Sequence, residues 1–400
     1  MADHPDGPWK EWIPGVLNDE QLKQLLDNGL ITGVKEPDKT IGESSIDLTL
    51  GDKGWELIEG AVKPIGPQTY EWFIVAKGLA KPLSASEDTT FTLSRKKTYV
   101  FKLNEKLSRT LAAAGMYGQA TAKSSVGRVD VLARLIVDGM DSYECFTPEG
   151  LNKGCGDLYL ELTPITFDIK VRPGIDVSQL RIFYGSPEDS RIRGKEAFRT
   201  VLPNSASNDG TLSVDLSTVD IGGLDAAAIC TKPAASHSPI PLWKEGQSAP
   251  DPCRYWRLTK ANSNKRLKIE DSEFYLLRSK ETISVPPGIA IYCQASDETI
   301  GEMRIHYAGF VHPRFGWKRT DGKLGTPLMF EVRGHQVNVS LADGEKMANI
   351  ILYRMSKEYE PKKKEESAYQ KQTLDLSSFF RKWPDKLKMI SEDGTVEPEA

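Results

Sequence analysis

No run of apolar residues approaches the ~20 that a helix needs to cross a bilayer, so no membrane span is expected. The opening MADHPDGPWKEWIPG is polar and acidic and lacks the basic-then-apolar plan of a secretory signal. Cysteine is scarce: Cys145, Cys155, Cys230, Cys253 and Cys293 are widely spaced and form no C-x-x-C pair. That argues against a structural zinc site and leaves reduced thiols in a cytoplasmic protein as the expectation. The five histidines, His4, His237, His306, His312 and His335, show no metal-ligand spacing; His306 and His312 are read as core or pocket residues. Neither H-x-E nor P-C-x-x-C occurs, which excludes the zinc type of nucleobase deaminase. G-x-S-x-G and G-x-G-x-x-G are absent too. With 52 basic and 56 acidic residues the formal charge is -4, so no polybasic nucleic-acid surface is expected.

What the chain does have is length and internal repetition. Its 400 residues suffice for two or three domains with ample core. LELTPITFDIKVRPGIDVSQLRIFY (160–184) aligns without a gap on FEVRGHQVNVSLADGEKMANIILYR (330–354), placing Glu161 on Glu331 and Gln179 on Asn349. Phe91–Arg95 resembles Phe274–Arg278, and Ser45–Leu48 resembles Ser213–Leu216, in the same order. A duplication follows, with units 1–198 and 199–400. Alternating apolar runs of four to eight residues, punctuated by Pro and Gly, predict mostly short strands and an all-β sandwich or jelly roll. Three helices are expected: DEQLKQLLDNG capped by Asn18 and stopped at Gly29, NEKLSRTLAAAG ending at Gly115, and SSFFRKWPDKLKMI near the C-terminus. Residues 185–210 and 232–252 read as connectors, and the PKKKEE run at 361–366 as a solvated loop.

The densest polar cluster is Ala122-Lys123-Ser124-Ser125-Val126-Gly127-Arg128. It lacks the glycines of a P-loop. Two readings stay open, a polyphosphate cradle of hydroxyls and cations or a capped turn with exposed charges. Glu161, between Leu160 and Leu162 in an apolar strand, is either on a solvent face, the usual place for an isolated Glu, or in a lined pocket where burial would suit it to proton transfer.

Together these segments resemble the dCTP deaminase branch of the trimeric dUTPase superfamily, in its fused two-unit form. The residues that carry the resemblance are Ser124-Ser125-x-x-Arg128, the strand carboxyl Glu161, Pro173-Gly174 with Gln179-Leu180, Asp47-Leu48-Thr49-Leu50-Gly51, and Tyr369-Gln370-Lys371-Gln372. The resemblance implies a tandem, distorted β jelly roll with a few short helices and active sites between neighbouring units. It implies zinc-independent hydrolysis of dCTP to dUTP and ammonia, feeding dUMP and dTTP synthesis, with Mg²⁺ bridging the triphosphate. Glu161, Arg128 and Ser124 are then the expected catalytic residues. Lys123, Ser125, Gln179, Tyr369 and Gln372 are the expected substrate contacts. A small-molecule deoxynucleotide substrate and a homo-oligomer, a trimer by preference, are the implied partners. The second unit keeps Glu331 and Gly309-Phe310-Val311-His312-Pro313 but has no S-S-x-x-R. The simplest expectation is that unit one supplies Ser124, Arg128 and Glu161, and unit two a pocket wall and the tail lid; the other is two unlike sites, one of them degenerate. The alternatives are a dUTP diphosphatase or a bifunctional enzyme, with Asp130 as the nearest carboxylate to activate water, and a non-catalytic deoxynucleotide-binding regulator.

Overall fold

The computed structural model describes residues 7–66, 68–232, 238–244, 246–296, 303–305, 309–360 and 371–399. In the first half the main strands are β1 (Ile46–Leu57), β2 (Tyr99–Leu107), β3 (Met116–Ala122), β4 (Val131–Val137), β5 (Cys145–Phe146), β6 (Asp157–Pro164) and β7 (Asp176–Tyr184). They form one sheet in the order β4-β6-β2-β1-β7-β3-β5. In the second half β8 (Thr211–Asp215), β9 (Phe274–Ile283), β10 (Ile289–Ala295), β11 (Met303–Ile305), β12 (Gly309–Val311), β13 (Thr326–Gly334) and β14 (Lys346–Arg354) repeat the plan. Their order is β11-β13-β9-β8-β14-β10-β12, with Ala228–Thr231 and Trp256–Thr259 extending the edge of β9. The chain is therefore an all-β tandem of two like units.

Register refines the duplication. The 160–184 and 330–354 segments occupy matching strands throughout. The other two matches shift. Val100 faces Glu161 and Leu276 faces Glu331, which equates Val100 with Leu276 rather than Phe91–Arg95 with Phe274–Arg278. Leu48 faces Ser178 and Leu212 faces Ala348, which equates Leu48 with Leu212 rather than Leu216. A shared device marks the corrected register. Glu105 accepts from the backbone N–H and hydroxyl of Thr49, and Glu281 does the same for Ser213. Loops of unequal length between the matched strands misalign short patterns that the period-two alternation alone does not distinguish.

Helix α1 (Asp19–Asp27) forms as expected, its Asn18–Gln21 capping box satisfying the first free N–H groups, and Gly29 stops it at φ +69°. The other two helices differ. β2 runs on to Leu107 and leaves one helical turn, Thr110–Ala113. The 377–390 segment is a turn followed by the strand Leu387–Met389, Pro384 having no N–H for a helix. Two helices of seven residues were not expected: α2 (Tyr70–Ala76), inside the excursion between β1 and β2, and α3 (Lys195–Val201) in the connector. Arg191–Ile192 already pairs with β14, seven residues before the expected boundary at 198.

The units share buried surface. Val16 and Phe183 pack with Ala290, Tyr353 and Met355. Phe167 of the first unit stacks edge-on with Tyr255 and Trp256 of the second. The C-terminal stretch 374–380 returns to the same seam, where Phe380 meets Tyr255 at 5.3 Å and Trp256 at 5.8 Å. No helix among the described residues is long and apolar enough to cross a membrane. Phe380→Ala should lower unfolding free energy by about 3 kcal/mol in guanidinium titration; a loss under about 1 kcal/mol would mean that this stretch is not anchored.

Candidate active site

Strands β6 and β13 each place a carboxyl on the face opposite their own core. Leu158, Leu160 and Leu162 point into the first unit's core and leave Tyr159 and Glu161 on the other side. Phe330 and Val332 point into the second unit's core and leave Glu331 and Arg333 on the other side. What covers these two faces differs.

Over Glu161 lies the first unit's own excursion. Tyr70 and Ile74 of α2 pack with Trp55, Val100, Ile136 and Tyr159, and Tyr143 closes over them. Arg134, directly across on β4, donates to Oε1 of Glu161 through Nε (2.9 Å) and Nη2, and the Tyr143 hydroxyl donates to Oε2 at 3.1 Å. Burial raises the Glu161 pKa, while Arg134 and Tyr143 pull against it. The carboxyl is 1% exposed and both its oxygens are engaged. Within the chain, none of its contacts among the described residues comes from Ser124 or Arg128.

Over Glu331 lies the other unit. After β3, residues Ser124–Gly127 make a single helical turn, and the chain bends at Asp130 with φ +57°. The turn exposes Ser124 and buries Ser125 and Arg128. The Arg128 guanidinium acts electrostatically on Glu331. Burial pushes the Glu331 carboxyl up to about 8, with Arg128 pulling it down only in part. No described residue hydrogen-bonds to it. Cys293 of β10 stands close enough for Glu331 to help burial push its thiol up to about 12.

The remaining expected contacts fall around the same seam. Gln372 accepts from Arg128 Nη2 at 2.7 Å and donates to the Pro327 carbonyl at 2.8 Å, and Ser377 donates to the Ser125 carbonyl. Lys123 sits between the carboxylates of Asp47 and Asp176. Burial opposes its charge, but the two carboxylates prevail and hold its pKa above the usual lysine value. Burial also pushes Asp47 up to about 6 against the pull of Lys123. Gln179 Oε1 accepts from His312 Nε2 at 3.2 Å, and the Ser44 hydroxyl meets His312 Nδ1 at 3.1 Å. A carbonyl acceptor fixes the proton on Nε2 and makes Ser44 the donor to Nδ1. Burial pushes His312 down to about 4, so it is neutral. Tyr369, like His306, lies outside the described residues.

Asp130, expected to be free to activate water, is 0% exposed and bound to Thr166 and to Arg333 of the second unit. Asp138, Cys155 and Asp157 lie within reach of one ion. Cys155 and the Tyr70 N–H already donate to Asp138, however, and Lys102 and Lys106 hold Asp157. Sequence reasoning named Glu331 but not its pairing with Arg128, and it missed Arg134, Tyr143 and Arg333. Arg333, two residues after Glu331 on the same strand, was the available signal for one of them.

The family model for the 2'-deoxycytidine 5'-triphosphate deaminase N-terminal domain matches residues 13–186, and that for the C-terminal domain of the same deaminase matches 191–380. The chain belongs to the dCTP deaminase family. It has the fused two-domain form of that family, and it is an enzyme. Among solved structures it is similar to the 2'-deoxycytidine 5'-triphosphate deaminase from Agrobacterium tumefaciens. The two are 26% identical, with a TM-score of 0.75 over 86% of this chain and 96% of that one. An anti-sigma factor domain-containing protein from Clostridium clariflavum, 10% identical over 76% of this chain and 90% of that one, has a TM-score of 0.13 and carries no argument. No curated protein matches.

A stability consequence follows from Glu331. Its carboxyl is held neutral in the fold and ionises near pH 4.5 once unfolded. The stabilisation from keeping it neutral is full below pH 4.5 and fades as pH rises toward 8. Glu331→Gln should therefore match the wild type at pH 4 and exceed it at pH 8 by on the order of 4 kcal/mol. Equal stability at both pH values, by denaturant titration, would show that the carboxyl is not held neutral.

Proposed function

We propose that the chain hydrolyses dCTP to dUTP and ammonia at the seam between its units, with Glu331 as the proton carrier. The observation that carries this reading is a lone buried carboxyl of the second unit under the charge of Arg128 from the first. The substrate is dCTP as its magnesium complex, the ion travelling with the triphosphate. Water adds at C4 of cytosine, N3 takes a proton, and the C4–N4 bond breaks with the amino group leaving as ammonia. A carboxyl poised near neutral pH serves both directions: it gives its proton to N3, as carboxylate takes one from the attacking water, passes that proton to the departing 4-amino group, and recovers one from the C4 hydroxyl as it becomes the carbonyl. Arg128 and Ser124 orient the water and stabilise the charge that develops as it adds. No protein zinc takes part in this reading.

Lys123 and Ser125 hold phosphate oxygens, Lys123 exchanging its carboxylate partners for them. Gln179, fixed by His312 and Ser45, borders the same seam. Gln372 caps Arg128. Tyr369 completes the lid. The dUTP formed supplies dUMP and dTTP synthesis, and free thiols at all five cysteines fit a cytoplasmic location. The diphosphatase reading has less support, because Arg333 and Thr166 occupy Asp130, its candidate base.

Product analysis with dCTP and Mg²⁺, with and without a zinc chelator, tests the reaction: dUTP and ammonia in both are expected, and diphosphate release would favour the diphosphatase reading. Untouched dCTP that still protects the protein against heat would favour the regulator. Glu331→Gln should lower kcat by about 1000-fold or more, whereas Glu161→Gln in folded protein should stay within about threefold of wild type. The reverse order would return catalysis to Glu161. Because both halves of the site come from one chain, specific activity should not change with dilution through the range where a trimer, if light scattering finds one, dissociates. A loss that tracks dissociation would put a second chain in the site.

A further inference from the structure

Asp130 and Arg333 make a buried ion pair across the seam. Arg333 is 8% exposed; its Nη1 donates to the Ser272 carbonyl at 2.5 Å, and its Nη2 donates to Asp130 Oδ2 and to the Thr166 hydroxyl. Thr166 in turn donates to Asp130. The guanidinium lies 6.0 Å from the Phe274 ring centre. Thus the turn after Arg128, the turn after β6 and strand β13 meet at one carboxylate. Asp130 Oδ1 and Arg333 Nε have no hydrogen-bond partner among the described residues. Asp130 also sits at a positive φ that a non-glycine residue adopts at a cost.

Such a pair is a poor way to stabilise a fold, since desolvation consumes most of the attraction and two polar atoms go unpaired. It is a good way to fix register. Asp130 follows Arg128 by two residues, and Arg333 follows Glu331 by two on the same strand face. Any slide of the turn along β13 changes the Arg128–Glu331 separation. Apolar packing, being non-directional, tolerates such a slide, whereas a two-sided charge and hydroxyl lock does not.

We propose that the Asp130–Thr166–Arg333 lock is a positioning device for the deamination, setting the loop that carries Arg128 against the strand that carries Glu331. This rests on the reading of Glu331 as proton carrier. Burial and Arg128 from the first unit act on the titration of Glu331; Cys293 of β10 lies near it, and Arg333 follows two residues along its own strand.

The test compares the full-length wild type with Asp130→Leu/Arg333→Met, which replaces both charges with apolar groups, and with Thr166→Val, which keeps both charges and removes the bridging hydroxyl. The double variant should keep its Tm within about 4 °C, lose about 100-fold in kcat with KM little changed, and shift the pH limb of kcat that belongs to Glu331. Thr166→Val should lose about tenfold with a shift in the same direction. Arg333→Lys, which keeps charge without the fork, should fall between the double variant and wild type. Wild-type kcat and pH limb in the folded double variant overturn the proposal. If that variant does not fold, wild-type values in Thr166→Val overturn it. Glu331→Gln separates the two levels: if it stays active, the reading of Glu331 fails and this inference with it; if it is inactive while the lock variants behave as wild type, only this inference fails.

Discussion

A carboxyl placed in mid-strand on a face that must be buried is the constraint from which the rest follows. Burying an ionised carboxylate without a partner is prohibitive, so each unit must pair it, neutralise it or leave it reachable by water. The duplicated sequence puts this demand on Glu161 and Glu331 alike. The first unit meets it internally, with Arg134 and Tyr143 on Glu161 and α2 closing the face. The second unit has no matching pair among its described residues. Its Glu331 stays largely neutral under the other unit's turn, near one guanidinium. Identical positions in a repeat thus acquire opposite chemistry through what covers them.

That asymmetry orders the other contacts. A turn whose arginine serves the neighbouring unit has to be held, and the holding contacts lie on both sides of it: Lys123 with Asp47 and Asp176 before it, Asp130 with Arg333 after it, and Gln372 and Ser377 above it. The C-terminal stretch is itself fixed by Phe380 in the Tyr255–Trp256 cluster. Ser356 bonds to the Val16 carbonyl and Gln372 to Arg128.

Much of this was legible in the sequence, for physical reasons. Period-two alternation revealed the strands, and a gapless 25-residue repeat carrying Glu161 and Glu331 revealed the doubling. The Ser124–Arg128 cluster was visible because small, polar and basic residues rarely concentrate in an apolar run. Sequence order joined Glu161 to Arg128, whereas within the chain Glu161 meets Arg134 and Tyr143, because sequence order favours partners from one unit and carries no information on which face a neighbouring unit covers. Arg134 and Arg333 differ little in a strand pattern, yet the first pairs Glu161 directly across the sheet and the second reaches Asp130 in the other unit. Helix α2 was missed because YEWFIVA reads equally as a strand, and its helical form comes from packing Tyr70 and Ile74 onto a face that a strand would not cover. The expected C-terminal helix failed at Pro384.

The most direct measurement is a crystal structure of the Glu331→Gln chain with dCTP and Mg²⁺. Cytosine C4 within about 4 Å of the residue-331 side chain, with the triphosphate along Lys123–Ser125 of the same chain, is the expected result. Nucleotide bound beside Glu161, or a base held by one unit with phosphates on another chain, would contradict a site built at the seam of a single chain.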